Sequence, residues 1–268
     1  MNYRHVYLSP HYDDAALSCG GSIYQQVQAG QPVLVVTICA APPPTAELSA
    51  YAQQLHRQWG SASDTVATRR AEDAQALRRL GADGQYLTLH DCIYRSQSPG
   101  QTWFYNSDAD IFGEVHPADL TLATTIAHLV SGLQSLAQGT TFYAPLAVGH
   151  HVDHQLAQAA AWQLRDQGHN LVFYEDYPYA DPQYPFTSHG EGNSFDLDQA
   201  LQAIAVALCP EICLFGEAEL AAKTDAVRAY GSQLNTLFGG AAAMEHHLRH
   251  YALRVGQQHL AERIWLPL

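Results

Sequence analysis

Lysine is almost absent from this chain. Lys223 is the only one, and 13 basic residues face 26 acidic residues, which gives the 268-residue protein a formal net charge of -13 at pH 7. A protein that binds nucleic acid needs a basic face that follows the phosphate backbone. This composition supplies no such face, and it therefore argues against nucleic acid as a partner.

Long apolar runs are missing as well. A membrane-spanning helix needs roughly 20 consecutive apolar residues, and a secretory signal needs an apolar segment behind a basic start. The opening segment, MNYRHVYLSPHYDD, has neither feature, and no later stretch is apolar for long enough to span a bilayer. These absences argue against a membrane partner, and we expect a cytoplasmic protein.

Two further absences narrow the class of protein. The five cysteines are odd in number and widely spaced, unlike those of a disulfide scaffold, and we expect them to be reduced. Cys209 and Cys213 have no neighbouring histidine or further cysteine, so we expect core residues there and no zinc site. The first predicted strand is not followed by the GxGxxG turn of dinucleotide-binding proteins, which argues against a plain nucleotide-binding function.

What the chain does contain is an alternation of short apolar runs and amphipathic segments. This alternation predicts an α/β fold, with helices flanking a mostly parallel sheet. The predicted strands are residues 5–9, 33–40, 86–90, 141–146 and 171–176. The predicted helices are residues 15–29, 65–80, 120–137, 197–207 and 217–237, and one from the GHHVDH segment that ends near residue 167.

No repeat or linker marks a domain boundary, so we expect a single domain of residues 1–268. Two long segments, 41–64 and 94–119, are predicted to be loops. Long loops in compact domains often form the walls of binding sites, and we expect this of residues 94–119.

A histidine and two aspartates follow the first predicted strand directly. The segment SPHYDDAAL places His11, Asp13 and Asp14 between this strand and a predicted helix. In parallel α/β sheets, ligands bind beyond the carboxyl ends of the strands, so a site is expected here. Because residues three apart share one face as the chain enters a helix, His11 and Asp14 can converge while Asp13 points elsewhere.

A second cluster, HHVDH, also lies between a predicted strand and a predicted helix, and His151 and His154 are again three residues apart. A catalytic zinc ion typically has three histidine or carboxylate ligands and a water molecule. His11, Asp14 and His154 fit that description.

The remaining polar residues of both clusters are then free for catalysis. Asp13 is placed to act on the water as a general base, and His151 to lie near the developing oxyanion. Asp153 is placed to orient His151 through a hydrogen bond, as carboxylates often do around metal sites.

Each cluster also has a simpler interpretation. A lone histidine at a strand end is usually structural, and paired aspartates before a helix often serve only as its N-cap. Two such clusters, each at the end of a predicted parallel strand, favour the metal site. The metal stays open, because the same ligands hold zinc, iron or cobalt.

These residues also resemble a known family. SPHYDDAALSCGG is similar to the HPDDE-type motif, and HVDH to the HxDH motif, of the PIG-L or LmbE-like zinc-dependent N-deacetylases. Between them, TRRAEDAQALRRLG resembles the Arg, Glu and Leu-Gly pattern of the family, with Arg69, Glu72 and Gly81 in place. The resemblance covers most of residues 3–180 and extends weakly to residue 235.

The resemblance implies a Rossmann-like fold, the LmbE-like three-layer sandwich, and removal of an N-acetyl group from an N-acetylglucosamine-containing small-molecule conjugate. The products would be acetate and a free amine. Carried onto this sequence, it implies zinc ligands His11, Asp14 and His154, the general base Asp13, the intermediate-stabilising His151, and the substrate contact Arg69. A homo-oligomer is compatible with this prediction.

The sequence departs from the family pattern at three positions. Tyr12 and Ala15 replace the Pro and the final Glu of the first motif, and Gly149 stands where some members have a tyrosine. These changes spare the ligands but alter the pocket. Two alternatives therefore stay open: a metal-dependent amide or ester hydrolase of a non-sugar substrate, and a non-catalytic sugar-binding relative.

Overall fold

The two apolar runs nearest the N-terminus form adjacent parallel strands, β1 (Tyr3–Ser9) and β2 (Val33–Thr37). Every residue of β2 and the last four residues of β1 are buried, as expected for strands covered by helices on both faces. They belong to a seven-stranded sheet in a computed structural model that describes residues 2–44, 47–60, 64–98, 101–187 and 195–268.

The other elements follow along the chain. The further strands are β3 (Asp83–Tyr86), β4 (Ser96–Ser98), β5 (Gln101–Trp103), β6 (Leu136–Pro145), β7 (Asn170–Tyr174), β8 (Leu208–Leu214) and β9 (Ala261–Pro267). The helices are α1 (Asp14–Gln28), α2 (Ala50–Gln58), α3 (Thr65–Leu80), α4 (Asp108–Ile111), α5 (Leu122–Ser131), α6 (Val152–Asp166), α7 (Leu197–Ala203), α8 (Glu217–Val227), α9 (Gly231–Phe238) and α10 (Ala241–Val255). A short 3-10 turn spans Cys92–Tyr94.

The strand order is β3-β2-β1-β6-β7-β9-β8. The pairs from β3 to β7 are parallel, whereas β9 pairs antiparallel with both β7 and β8. The chain passes from β1 to β2 and β3 on one side and later crosses to β6 on the other side. Ligands of open α/β sheets bind beyond the carboxyl ends of the strands at such a reversal, here between β1 and β6.

Alternate side chains of each strand pack into two different layers. Val6 and Leu8 of β1 pack with buried residues of α5 and α6, whereas Tyr7 packs with those of α1 and α3. The sheet therefore lies between two layers of helices, and the predicted mostly parallel α/β sandwich is confirmed. Among the described residues, none of the helices combines the length and the apolar character required to cross a membrane.

The predicted boundaries differ where contacts with distant segments decide them. Helix α2 lies inside the predicted loop 41–64, where Ser49 caps it by accepting a hydrogen bond from a backbone N–H and Leu55 is buried. The third strand pairs before residues 86–90, at β3, because its partner β2 ends at Thr37.

The C-terminal part differs most from the prediction. The predicted helix 217–237 is two helices, α8 and α9, and strands β8 and β9 were not predicted. Strand β8 pairs only with β9, so four consecutive residues of it are exposed. The prediction of core cysteines is wrong for Cys209, which is exposed, and Cys213 is only partly buried.

A buried ion pair joins three of these elements. Nζ of Lys223 on α8 lies 2.7 Å from Oε1 of Glu262 on β9. Glu262 also accepts hydrogen bonds from the backbone N–H groups of Gly21 and Ser22 on α1. A Cβ atom on Gly20 would lie 2.8 Å from the Lys223 side chain, so glycine allows α1 to pack this closely against α8.

Substitution Lys223→Met should lower the free energy of unfolding by about 3–5 kcal/mol, because Glu262 would stay behind as an uncompensated buried charge. Urea unfolding followed by circular dichroism measures the loss. The matched control is Arg228→Met, since Arg228 pairs with the exposed Glu245 and such surface pairs contribute little. Equal losses in the two variants would contradict this role of Lys223.

Candidate active site

The two motif clusters lie at the edge of the sheet where β1 and β6 end. His11 and Asp13 precede α1 and Asp14 begins it, while His151 and His154 lie at the start of α6. Because β1 and β6 are adjacent parallel strands, their carboxyl ends bring these side chains into one region. Residues 140 positions apart in the sequence are thus neighbours, and the arrangement follows from the topology of the sheet.

Three of these side chains direct possible metal ligands toward one point. Oδ2 of Asp14 lies 3.3 Å from Nδ1 of His11 and 3.4 Å from Nε2 of His154. The three atoms lie within 4.8 Å of one another. Two ligands of a tetrahedral zinc ion, each about 2.1 Å from it, lie roughly 3.4 Å apart, so the spacing fits such an ion.

The second nitrogen of each histidine is held by a carboxylate. Nδ1 of His154 lies 2.6 Å from Oδ1 of Asp176, and Nε2 of His11 lies 3.1 Å from Oδ2 of Asp153. The proton of each neutral ring is therefore placed on the carboxylate side, and the lone pair faces Asp14. Nε2 of His154 is buried and has no hydrogen-bond partner among the described residues, which suits an atom that binds a metal.

Sequence analysis missed Asp176. This residue lies just beyond the end of β7, the strand next to β6, so the argument from strand ends applies to it as well. Its second carboxylate oxygen accepts a hydrogen bond from the backbone N–H of Val148, which fixes the carboxylate between two strand ends. The signal was present in LVFYED, but nothing local connects it with His154.

The charges around these ligands favour a cation. Burial opposes ionisation of Asp14, but His154 and His11 outweigh it and lower the pKa of this carboxyl below its usual range. Burial also opposes protonation of His11, yet Asp14 and Asp153 raise its pKa well above the ordinary value. The pKa of His154 is raised against burial by Asp14 and Asp176. Protons and a metal ion therefore compete for the two rings.

Asp13 lines the same cavity as these ligands but has a different partner. Its Oδ1 lies 3.3 Å from the guanidinium of Arg69, and that guanidinium lies 4.9 Å from the ring centroid of Trp59. Although Asp13 stands at the N-cap position of α1, its side chain makes no cap hydrogen bond, so capping does not explain it. Burial raises the pKa of Asp13 against the opposing effect of Arg69, which makes the carboxylate a stronger base.

His151 is oriented by the backbone of α6. Its Nδ1 accepts a hydrogen bond of 3.2 Å from the backbone N–H of Asp153, so the proton of the neutral ring lies on Nε2. Burial, reinforced by His11, lowers the pKa of His151 well below the ordinary value. The ring is therefore a neutral hydrogen-bond donor at the cavity. The hydrogen bond that we expected from the Asp153 carboxylate is replaced by one from its backbone.

These groups open onto a cavity at this edge of the sheet. One wall is formed by Leu55 and Trp59 around α2 and by Ile111 of the long segment 94–119. Further lining residues come from the segment after β7 and from α9. The walls are thus supplied by parts of the chain far from the two motifs.

Gly149 explains one departure from the family pattern. Its φ angle is +84°, and a Cβ atom there would lie 2.7 Å from the ring of Tyr179. Tyr179 follows β7 and lines the cavity, so a tyrosine ring borders the site from another segment. Tyr12, at the position of the motif proline, is buried and donates a hydrogen bond to the carbonyl oxygen of Ala40.

Comparison with known proteins identifies the family. The sequence model described as PIG-L: GlcNAc-PI de-N-acetylase matches residues 6–165, which is more than half of the chain. The match includes both strand-end clusters and Arg69. The protein therefore belongs to the PIG-L family.

Individual relatives support this assignment. A 2'-N-acetylparomamine deacetylase from Niallia circulans is 30% identical over 202 residues, which cover 69% of this chain and 70% of the relative. An enzyme of the same name from Streptomyces fradiae is 27% identical and covers 98% of this chain and 90% of its own length. The crystal structure of the zinc inhibited form of teicoplanin deacetylase Orf2 superposes with a TM-score of 0.74 at 25% identity, covering 98% of this chain and 97% of that chain.

Beneath this site lies a further buried carboxyl group, Asp73, one helical turn after Arg69 on α3. Tyr230 donates a hydrogen bond of 2.8 Å to its Oδ1. Burial dominates and raises the pKa of Asp73 from 3.8 to about 7. At a pH between these two pKa values, Asp73 keeps its proton in the folded protein and loses it in the unfolded chain. The contribution of Asp73 to stability is therefore lost as the pH rises toward 7.

Substitution Asp73→Asn should remove this pH dependence. Between pH 5 and pH 6.5, the unfolding free energy of the unsubstituted protein should fall, relative to that of the variant, by roughly 1 kcal/mol per pH unit. Urea unfolding at several pH values measures the difference, with the exposed Asp198→Asn as the control. Parallel stability curves for the protein and Asp73→Asn would show that the carboxyl titrates normally.

Proposed function

We propose that this protein is a zinc-dependent N-deacetylase that hydrolyses the acetamide of an N-acetylated amino sugar in a small-molecule conjugate. The observation that carries the proposal is the buried Nε2 of His154, which lacks a hydrogen-bond partner among the described residues and lies 3.4 Å from Asp14. Membership of the PIG-L family supports the reaction, and the relatives named for N-acetylparomamine and teicoplanin support the substrate class.

His11, Asp14 and His154 would hold the metal. When bound, the ion would act as a Lewis acid and lower the pKa of a water molecule to about 7. The same donors also suit other divalent transition metals, and we propose zinc because of the mixed histidine and carboxylate set. The carboxylates of Asp153 and Asp176 keep the two rings in the orientation that this requires.

Asp13 is the proposed general base. Its carboxylate accepts a proton from the attacking water while the water oxygen forms a bond to the acetamide carbon. As the C–N bond breaks, the carboxyl group returns this proton to the amine nitrogen. Acetic acid, which ionises to acetate in water, and the free amine leave, and Asp13 is ionised again. Arg69 keeps the carboxylate in place throughout, because its guanidinium lies 3.3 Å away.

His151 is proposed to donate its Nε2–H to the oxygen of the tetrahedral intermediate. The hydrogen bond to its Nδ1 prevents the ring from taking a second proton there unless the cap of α6 is broken. Because Nδ1 is occupied, His151 acts only as a hydrogen-bond donor through Nε2. Proton transfer is therefore assigned to Asp13.

The walls of the cavity suit a sugar ring. Trp59 and Tyr179 line the cavity, and aromatic rings suit the C–H groups of pyranose rings, while Arg69 and Gln233 offer polar contacts. We therefore propose Arg69 as a substrate contact in addition to its contact with Asp13. The substrate that we propose is an N-acetylglucosamine-type ring with a further group extending toward α9.

The protein loaded with zinc should release acetate from a panel of N-acetylated aminoglycosides and N-acetylglucosamine conjugates. Asp13→Asn should lower kcat by about 10²–10⁴-fold with zinc still bound, because only the base is lost. His154→Ala should lose both activity and zinc. Coupled acetate assays and elemental analysis measure these results.

The matched control is His128→Ala, which removes an exposed histidine of α5 and should change neither quantity. Absence of acetate release from the whole panel, with zinc bound and Asp13 intact, would overturn the proposed reaction. Acetate release from simple N-acetyl amines at the same rate as from sugar conjugates would instead overturn the proposed substrate class.

A further inference from the structure

We propose that Arg95 is a positioning residue for the metal ligand His11 and acts on it through Asp153. The proposal rests on the proposed function, because it assigns His11 to a metal site. Among the described residues, Arg95 forms no hydrogen bond or ion pair with the imidazole ring of His11. Its effect depends on a line of polar contacts that runs from Asp119 through Arg95 and Asp153 to His11.

Asp153 is a buried residue with a relative exposure of 2%, and three donors surround its carboxylate. Arg95 donates to Oδ1, while Oδ2 accepts from the backbone N–H of Cys92 at 3.0 Å and lies 3.1 Å from Nε2 of His11. With these partners, Asp153 has no oxygen left for a proton-transfer role. Its remaining function is to fix the ring of His11.

Arg95 is itself held on several sides. Its Nε lies 3.0 Å from Oδ2 of Asp119, and its guanidinium lies 5.2 Å from the ring centroid of Tyr105. Both Arg95 and Asp119 are buried. The contact between Nε of Arg95 and Oδ2 of Asp119 is an ion pair without hydrogen-bond geometry, and this pair and the ring of Tyr105 restrain the guanidinium beside Asp153.

Removal of the guanidinium would leave Oδ1 of Asp153 buried without a partner. The carboxylate would then turn toward its remaining donors, and the ring of His11, bonded to Oδ2, would move with it. Metal ligands must stay within a few tenths of an ångström of their places, so the metal affinity should fall. Loss of a partner outside the ligand set typically costs 10–100-fold in metal affinity.

The same residue connects the cavity wall with the ligand. Arg95 and Asp119 stand at the two ends of a segment that carries Ile111 into the cavity. Their ion pair brings the two ends of this segment together. A shift of these ends would move Arg95 and, through Asp153, also His11. The long segment that sequence analysis assigned to the cavity wall therefore also supports the metal site.

The experiment compares zinc affinity, measured by competition with a chelator, in the unsubstituted protein and three variants. Arg95→Met should weaken zinc binding by at least about 10-fold. Arg95→Lys should recover part of this loss, because an ammonium group can reach Asp153 but lacks the planar fork that also reaches Asp119. Arg254→Met is the matched control, because it also removes a cation that pairs with a buried carboxylate, that of Asp181, in another part of the chain.

The outcomes separate this inference from the proposed function. An unsubstituted protein that binds no zinc would overturn the proposed function. Zinc binding by the unsubstituted protein, with equal or tighter binding by Arg95→Met, would overturn the role of Arg95 alone. Equal weakening in Arg95→Met and Arg254→Met would also overturn it, because the effect would then reflect general destabilisation. If Arg95→Met does not fold, a loss of affinity in Arg95→Lys without a fall in melting temperature supports the proposal, and unchanged affinity overturns it.

Discussion

Buried negative charge at the carboxyl ends of β1, β6 and β7 is the constraint on which the rest of the site depends. Four carboxylates are buried there: Asp13, Asp14, Asp153 and Asp176. A buried carboxylate without a partner is costly, so each requires a cation or several hydrogen-bond donors. Arg69 contacts Asp13 and Arg95 contacts Asp153, and the other two carboxylates face histidines. A divalent cation between those histidines would complete the balance of charge.

The partner of each aspartate gives it a distinct role. Asp13 is paired with Arg69, whose guanidinium stays protonated and does not transfer a proton to it. The carboxylate therefore stays available as the proposed base. Both oxygens of Asp153 are engaged, by Arg95 on one side and by His11 and the backbone of Cys92 on the other, which suits its proposed positioning role. Asp14 lies between two imidazole rings whose other nitrogens are held by Asp153 and Asp176, and its Oδ2 also accepts a hydrogen bond from the backbone N–H of His11. These aspartates therefore have different proposed roles because their burial and their neighbours differ.

The sequence was sufficient for the features that local pattern decides. Apolar runs identified the parallel strands, and the spacing of three residues placed His11 near Asp14 and His151 near His154. Sequence reasoning failed where contacts between residues far apart in the sequence determine the structure. Asp176 and Arg95 reach their partners across 22 and 58 positions, and no periodicity links such pairs. Strand β8 was missed for a related reason: it lies at the sheet edge, where exposed residues remove the alternation of apolar and polar positions.

The C-terminal part, beyond the family match, supports the site in two separate ways. Glu262 accepts hydrogen bonds from backbone N–H groups in the middle of α1, the helix that begins with Asp14, so the last strand helps to fix the helix that carries this proposed metal ligand. Helix α9 supplies part of the cavity wall and is attached to α3 through Glu72, which accepts hydrogen bonds from the backbone and side chain of Ser232. Helix α3 also carries Arg69, the partner of Asp13, so the same helix anchors the cavity wall and holds the proposed general base. The C-terminal part therefore bears on the proposed site through both α1 and α3.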